Sequence, residues 1–276
     1  MNLLALDDLL QRALNEDLGQ GDVTSEAIFS PGHSSRGFLL AKQEFVLAGG
    51  EVFARVFELL DARVGVNFSR RDGEAVKQGE RFADLAGPTR SILSGERIAL
   101  NFLQHLSGIA TETRRYVEAC GDSGAMIVDT RKTTPGLRML EKYAVTVGGG
   151  QNHRFGLNSM ILIKDNHIRA AGGISPAVRL VRAKSSPFLK IEVETEDLLQ
   201  VREALAAGVD VIMLDNMPTE RIAEAVRVIN GQALVEVSGK VTYEQIETLA
   251  GLGVDIISSG ALTHSVKAVD ISLKFE

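Results

Sequence analysis

The sequence predicts an α/β fold whose second half is a βα barrel, and two observations carry that expectation. Six short apolar runs, at 126–132, 160–164, 189–194, 211–215, 233–239 and 255–260, each end in charged or small polar residues. Stretches with helical spacing separate them, the pattern of parallel strands joined by helical crossovers. In a closed barrel of that kind the C-terminal strand ends converge on one pocket, so the residues at those ends carry the candidate chemistry.

The first hundred residues lack this rhythm and read as α+β material. Leu6, Leu9, Leu10 and Leu14 stand at helical spacing in an opening helix, among Asp7, Asp8, Glu16 and Asp17. Gly21-Asp22-Val23-Thr24 reads as a turn, 35–43 as a strand and 51–60 as a helix. Residues 62–68 alternate, and Asp72-Gly73 with Lys77-Gln78-Gly79-Glu80 supply turn chemistry. A helix over 95–119 links the two parts, with a break expected at Ser107-Gly108. The last run, 269–275, alternates strictly, as a half-buried antiparallel strand does. It is expected to leave the barrel and join the N-terminal sheet.

With 276 residues, 45% of them hydrophobic, the chain can bury the core of one large domain or two smaller ones. Its start lacks the basic opening and continuous apolar stretch of a signal peptide, and no later segment is long and apolar enough to span a bilayer, so a cytoplasmic protein is expected. The single cysteine, Cys120, excludes an internal disulfide and a cysteine-rich metal site. A net charge of −6 and the absence of tryptophan argue against nucleic acid as a partner. Against that acidic background, Arg131, Lys132, Arg138, Lys142, His153, Arg154, Lys164 and His167 crowd into one stretch with only Glu141 and Asp165 to oppose them. Such a stretch at strand ends suits a small, multiply anionic ligand held in a focused positive field.

Alternation also sets strand polarity. Leu189, Ile191 and Val193 share one face, while Lys190, Glu192 and Glu194 share the other; Glu236 and Ser238 stand together in the same way. If the apolar faces pack on helices, the charged faces point into the barrel, where buried charges must be paired or bind ligands.

Several motifs then carry chemistry. Asp129-Thr130-Arg131-Lys132 places two cations at a strand end, and Thr133-Thr134-Pro135 reads as the cap and first turn of a helix, whose free N–H groups suit carboxylate or phosphate. The plain alternative is a solvated loop that only caps its helix. Gly148-Gly149-Gly150-Gln151-Asn152-His153-Arg154 delivers a histidine and an arginine, and Arg131 with Arg154 would allow bidentate recognition of two carboxylates. Lys164 closes another strand as a ligand-binding cation, a surface end-cap or a Schiff-base nucleophile. Glu194 and Asp215, at successive strand ends, form an oxygen pair suited to Mg²⁺, unless each pairs with a lysine. Ser238-Gly239 and Ser258-Ser259-Gly260 offer the small side chains and exposed N–H groups of a phosphate cradle, or simple turns. Together these describe a site for two anionic substrates, one carried with a metal ion.

The chain resembles the quinolinate phosphoribosyltransferase family, within the type II phosphoribosyltransferases, over essentially its full length. The resemblance rests on the order and spacing of Glu16-Asp17 with Gly21-Asp22-Val23-Thr24, Ser94-Gly95-Glu96-Arg97-Ile98-Ala99-Leu100-Asn101, Leu106-Ser107-Gly108-Ile109-Ala110-Thr111, the Asp129–Gly136 and Gly148–Arg154 stretches, Leu162-Ile163-Lys164-Asp165-Asn166-His167 and Met213-Leu214-Asp215-Asn216. It implies an N-terminal open α/β sandwich over 1–108, joined by the strand at 268–276, and a TIM-like βα barrel, complete or incomplete, over 109–267. It implies de novo NAD biosynthesis: phosphoribosyl transfer to quinolinate with decarboxylation, in a homodimer able to assemble into hexamers, with Arg97 supplied to the neighbouring active site. Arg131, His153, Arg154 and Lys164 would bind the quinolinate carboxylates. Thr130 is counted with the substrate-binding residues, and Lys132 would contact phosphoribosyl pyrophosphate. Glu194 and Asp215 would hold Mg²⁺ and the ribose hydroxyls, and Ser238, Gly239 and Gly260 the 5′-phosphate. Lys132, Lys164, Glu194 and Asp215 form the expected catalytic set.

Two positions depart from the family pattern. Gly156-Leu157-Asn158 is followed by Ser159 where an acidic residue is common, and Lys240 follows Ser238-Gly239 where a second glycine is frequent. Three other readings compete: a related barrel phosphoribosyltransferase for another aromatic acid, such as the paralogues encoded with molybdate transport; a Schiff-base aldolase using Lys132 or Lys164; and a non-catalytic metabolite binder. Asn152-His153-Arg154 and Lys164-Asp165-Asn166-His167 favour the quinolinate enzyme, and the retained Glu194 and Asp215 argue against a mere binder.

Overall fold

The computed structural model describes residues 2–276, and the chain divides into two units that alternate along the sequence. One takes the chain up to Arg114 together with Thr134–Gly149 and Ser265–Glu276; the other takes Arg115–Thr133 and Gly150–His264.

In the first unit, the helix Leu3–Leu18 starts where the Asn2 side chain accepts the N–H groups of Leu4 and Ala5, and it buries Leu6, Leu10 and Leu14 at the spacing read from the sequence. Five strands follow: β1 (Ser34–Ala41), β2 (Phe45–Val46), β3 (Gly65–Phe68), β4 (Ala75–Val76) and β5 (Arg81–Pro88). The chain's last strand, Ile271–Phe275, pairs antiparallel with β1, which pairs with β5, which pairs with β3. Leu39 sits opposite Leu273 in that register, both buried. The core beside the sheet is aromatic, with Phe53 edge-on to Phe57 and Phe68, and Phe45 edge-on to Phe82.

Two local expectations are corrected here. The linking helix runs unbroken over Thr89–Ala119. Ser107-Gly108 is a docking notch rather than a break. The Ser107 hydroxyl accepts the N–H of Ala48 at 3.0 Å and donates to the Ala48 carbonyl at 3.2 Å, while a Cβ on Gly108 would lie 2.4 Å from the Lys267 carbonyl oxygen. Nor do Thr133-Thr134-Pro135 open a helix, which starts only at Arg138. The buried Glu141 takes the N–H of Thr134 at 3.0 Å and contacts His105 Nε2 at 2.8 Å, so the segment is tied down from one turn further along.

The second unit holds six parallel strands: β6 (Met126–Val128), β7 (Ile161–Ile163), β8 (Ile191–Thr195), β9 (Val211–Asp215), β10 (Leu234–Ser238) and β11 (Ile256–Ser258). Their spatial order is β6-β11-β10-β9-β8-β7, so β6 and β7 form the edges of an incomplete barrel. Helices such as Leu198–Ala206 and Thr219–Ile229 return the chain between strands, as parallel pairing requires. Among the described residues, no helix is long and apolar enough to cross a membrane.

Candidate active site

Strand register selects the residues that face the barrel interior. Leu162 pairs with Glu192, Glu194 with Met213, Met213 with Glu236, Asp215 with Ser238, and Ser258 with Val128. Alternation aims these side chains to one side of the sheet, together with Lys164 and Thr130, which stand two residues beyond Leu162 and Val128. A cleft of about 470 Å³ is lined by Thr130, Leu162, Lys164, Glu194, Met213, Asp215, Glu236, Ser238 and Ser258 from this set, with Arg131, Lys132, His153, Arg154, Asn216, Gly239 and Lys240 from the loops. Thr130 follows one edge strand and Lys164 the other, so the sheet curls enough to bring its edges to one cavity. The volume suits small metabolites.

Every sequence-predicted site residue except Arg97 and Gly260 lines this cleft. Gly260 stands behind it, where a Cβ would lie 2.8 Å from Cδ of Lys132. Lys132 is further held by its N–H to Thr130 Oγ1 at 3.0 Å and its carbonyl to the Thr263 hydroxyl at 2.7 Å. Arg97 is exposed on the helix Thr89–Ala119, in the other unit.

Lys164 Nζ contacts Glu194 Oε2 at 2.5 Å. Asp215 is fixed from the next residue, since the Asn216 amide donates to its Oδ2 at 2.6 Å. Asn216 holds a left-handed backbone (φ 52°) while its N–H donates to the Ser238 carbonyl at 3.1 Å. A Cβ on Gly239 would sit 2.5 Å from Asn216 Oδ1, so glycine is required for the Asn216 side chain to nest against the Ser238-Gly239 turn.

Electrostatics are most strained around His153 and Arg154. Burial and the neighbouring charge of Arg131 both pull the Arg154 pKa down, with Glu192 opposing. Two guanidinium groups held this close in a cleft favour a bound anion. Beneath them, His153 Nε2 lies 3.1 Å from Glu192 Oε2 and 3.4 Å from Glu236 Oε2. Burial opposes a charge on the ring, but the two glutamates outweigh it and raise the His153 pKa to about 9. Burial likewise pushes the Glu192 carboxyl up, with His153 working against it. Nδ1 meets the Arg154 N–H at 2.7 Å, a bond that lasts only while that nitrogen carries no proton; a proton on Nε2 faces the two carboxylates in either state. The contact with Glu192 is close but poorly aligned, and both Glu192 oxygens and Glu236 Oε1 complete no hydrogen bond among the described residues.

The sequence assigned no role to Asp129, Glu192, Glu236 or Asn216. For the two glutamates the signal was present in the inward face of their strands; for Asp129, whose Oδ1 accepts the His153 N–H at 2.9 Å, nothing local marks the bond.

Comparison with known proteins agrees with this architecture. Residues 22–107 match the quinolinate phosphoribosyl transferase N-terminal domain, and residues 109–274 match the C-terminal domain. The chain belongs to the quinolinate phosphoribosyltransferase family. A family relative in Bacillus subtilis, described as a probable nicotinate-nucleotide pyrophosphorylase (carboxylating), is 48% identical over 273 residues, spanning 99% of this chain and 94% of that protein. The chloroplastic nicotinate-nucleotide pyrophosphorylase (carboxylating) of Arabidopsis thaliana is 43% identical over 98% of this chain and 83% of its own length. Among family structures, NadC from Streptococcus pyogenes superposes with a TM-score of 0.96 at 46% identity, covering 100% of this chain and 99% of that one.

Proposed function

We propose that this family member transfers the phosphoribosyl group of phosphoribosyl pyrophosphate to quinolinate with loss of CO₂, yielding nicotinate mononucleotide and pyrophosphate for NAD biosynthesis. The observation that carries this reading is the charge layout of one cleft. Arg131, Arg154 and Lys164 supply cations, and Glu194, Asp215 and the Ser238-Gly239 turn supply carboxylates and a small-residue loop, all lining the same cavity.

In this reading Arg131 and Arg154 grip the two quinolinate carboxylates as planar, bidentate partners, with His153 and Lys164 beside them. Thr130 orders the Lys132 main chain, Lys132 meets the pyrophosphate, and Ser238 and Gly239 cradle the 5′-phosphate, while Gly260 leaves room for the Lys132 side chain. The quinolinate nitrogen attacks the ribose C1 as the bond from C1 to the pyrophosphate oxygen breaks, and the leaving group takes that electron pair. Glu194 and Asp215 keep negative potential beside the positive charge that develops on the ribose. The N-ribosyl pyridinium then accepts the electron pair of the breaking bond between C2 and its carboxylate, CO₂ departs, and a solvent proton completes C2. Positioning and fixed electrostatics do most of the work, and no side-chain nucleophile is needed.

Glu194 and Asp215 fit a magnesium ion. Both are hard oxygen donors on neighbouring strands aimed into the cleft, and each keeps one oxygen outside its bond to Lys164 or Asn216. Bound there, magnesium would neutralise charge on the pyrophosphate. The reading also has the protein act in the cytoplasm as a homodimer, with Arg97 of each chain closing the partner's quinolinate pocket.

The test is to incubate the purified protein with quinolinate, phosphoribosyl pyrophosphate and Mg²⁺, and to follow CO₂ and nicotinate mononucleotide. Both should form with quinolinate, and nicotinate should not replace it. No CO₂ release, or equal use of nicotinate, would overturn the reading.

A further inference from the structure

We infer that Glu192 and Glu236 are positioning residues for the diacid substrate: their carboxyl groups face His153 Nε2 and, through the ring, fix the turn that presents Arg154 to the cleft. The inference rests on the proposed quinolinate reaction.

The turn is anchored at two points, and at a third while Nδ1 carries no proton. Its His153 N–H donates to the buried Asp129 carboxylate at 2.9 Å, Nε2 faces Glu192 and Glu236 at 3.1 and 3.4 Å, and Nδ1 meets the N–H of Arg154 at 2.7 Å. Arg154 needs such an anchor. Its guanidinium makes one long hydrogen bond among the described residues, to the Met160 carbonyl at 3.4 Å, and it is repelled by Arg131. The direction of the side chain is therefore set from the main chain, which the His153 ring holds.

The cost of the glutamates argues that they are kept for this purpose. Glu192 and Glu236 are 0% and 1% exposed, and among the described residues three of their four oxygens find no hydrogen-bond partner. A core position serving only stability is better filled by an apolar side chain, as Leu162 and Met213 fill neighbouring inward positions. Paired carboxyl groups below the ring instead give Nε2 oxygens to face at 3.1 and 3.4 Å, which an apolar floor could not.

The test compares Glu192→Met and Glu236→Met, which keep volume but remove the acceptors, with Glu192→Gln and Glu236→Gln, which keep an acceptor oxygen. Histidine ¹⁵N spectra of the ligand-free protein should show a protonated Nε2 on His153, perturbed in the Met variants. Calorimetric titration should show quinolinate binding weakened at least tenfold in the Met variants and largely restored in the Gln variants, with the KM for phosphoribosyl pyrophosphate unchanged. Unchanged quinolinate affinity in Met variants that melt cooperatively would overturn the inference. So would equal losses for both substrates, an unprotonated Nε2 in the wild type, or a metal ion that survives dialysis of the wild type and is missing from the Met variants. A wild type that binds no quinolinate would overturn the functional reading and this inference with it, whereas wild-type binding that persists in the variants would overturn the clamp alone.

Discussion

Lys164 Nζ and Glu194 Oε2 lie 2.5 Å apart, and the contact joins the cationic half of the cleft to its carboxylate half. The two ends differ in exposure: the Lys164 side chain is 42% accessible and that of Glu194 only 10%. The lysine can therefore turn toward an incoming anion while the glutamate stays in place. In Lys164→Met, Glu194 loses its cation and quinolinate loses one of its own. Truncating one member of a desolvated charge pair costs about 2–5 kcal/mol, and the exposure of Lys164 puts this case at the low end. The expected result is a fall of roughly 30-fold in kcat/KM for quinolinate, read from steady-state kinetics, with the melting temperature little changed. An unaltered kcat/KM would remove Lys164 from the site.

Gly239→Ala tests the link between the phosphate turn and Asp215. Residue 239 has φ +86°, and its added Cβ would meet Asn216 Oδ1 at 2.5 Å, so the Asn216 side chain must move and release Asp215. Backbone strain of this kind costs about 1–3 kcal/mol. The KM for phosphoribosyl pyrophosphate should rise roughly tenfold while quinolinate binding, measured alone by calorimetry, stays the same. A shift confined to quinolinate would contradict the assigned geography.

Strand ends and strand faces could be read directly from the chain, because both depend on patterns a few residues long. The apolar runs ending in Lys164, Glu194, Asp215 and Ser238 became adjacent strands, and period-two alternation was enough to aim those side chains inward. The anchor of His153 could not be read, since Asp129 just past β6, Glu192 in β8 and Glu236 in β10 lie far apart in sequence. Ser107-Gly108 misled for the converse reason. Locally the pair looks like a helix break, but in the folded unit its hydroxyl and missing Cβ serve contacts with Ala48 and Lys267.

That reversal makes Gly108→Ala informative. Alanine favours a helix interior over glycine by about 1 kcal/mol, which alone would stabilise the protein. Its Cβ, however, would approach the Lys267 carbonyl oxygen to 2.4 Å, and forced overpacking costs about 1–3 kcal/mol. The contact with backbone should win, lowering the melting temperature by several degrees. A higher melting temperature would mean that the segment around Lys267 yields at little cost.

Arg97 supplies a test of the homodimer. It is exposed on the helix Thr89–Ala119 and absent from the cleft lining, yet the proposed reaction uses it in the partner's pocket. Arg97→Ala and Arg131→Ala chains should each be nearly inactive alone. Mixed and allowed to exchange, they should recover activity, because a mixed dimer contains one site with both arginines intact. Failure to recover, with exchange confirmed by mass spectrometry, would exclude sharing of Arg97.

The acid cluster below His153 sets the sign of a pH effect on stability. The folded-state pKa of His153, about 9, lies above the ordinary 6.5, so the folded protein binds this proton more tightly than the unfolded chain. Its contribution is fully present below about pH 6.5, declines above that, and is lost as the pH rises through 9. The size of the shift corresponds to at most about 3 kcal/mol, reduced by whatever the Arg154 N–H gains at an unprotonated Nδ1. The raised carboxyl of Glu192 acts with the same sign at lower pH, since it too holds its proton more tightly when folded. Glu236→Gln removes one of the charges that lift His153, so its pKa falls. Urea midpoints recorded from pH 6 to pH 10 should decline for the wild type as the pH approaches 9, and for Glu236→Gln the decline should be smaller and end at lower pH. Superimposable profiles would show that these carboxylates do not control the charge on His153.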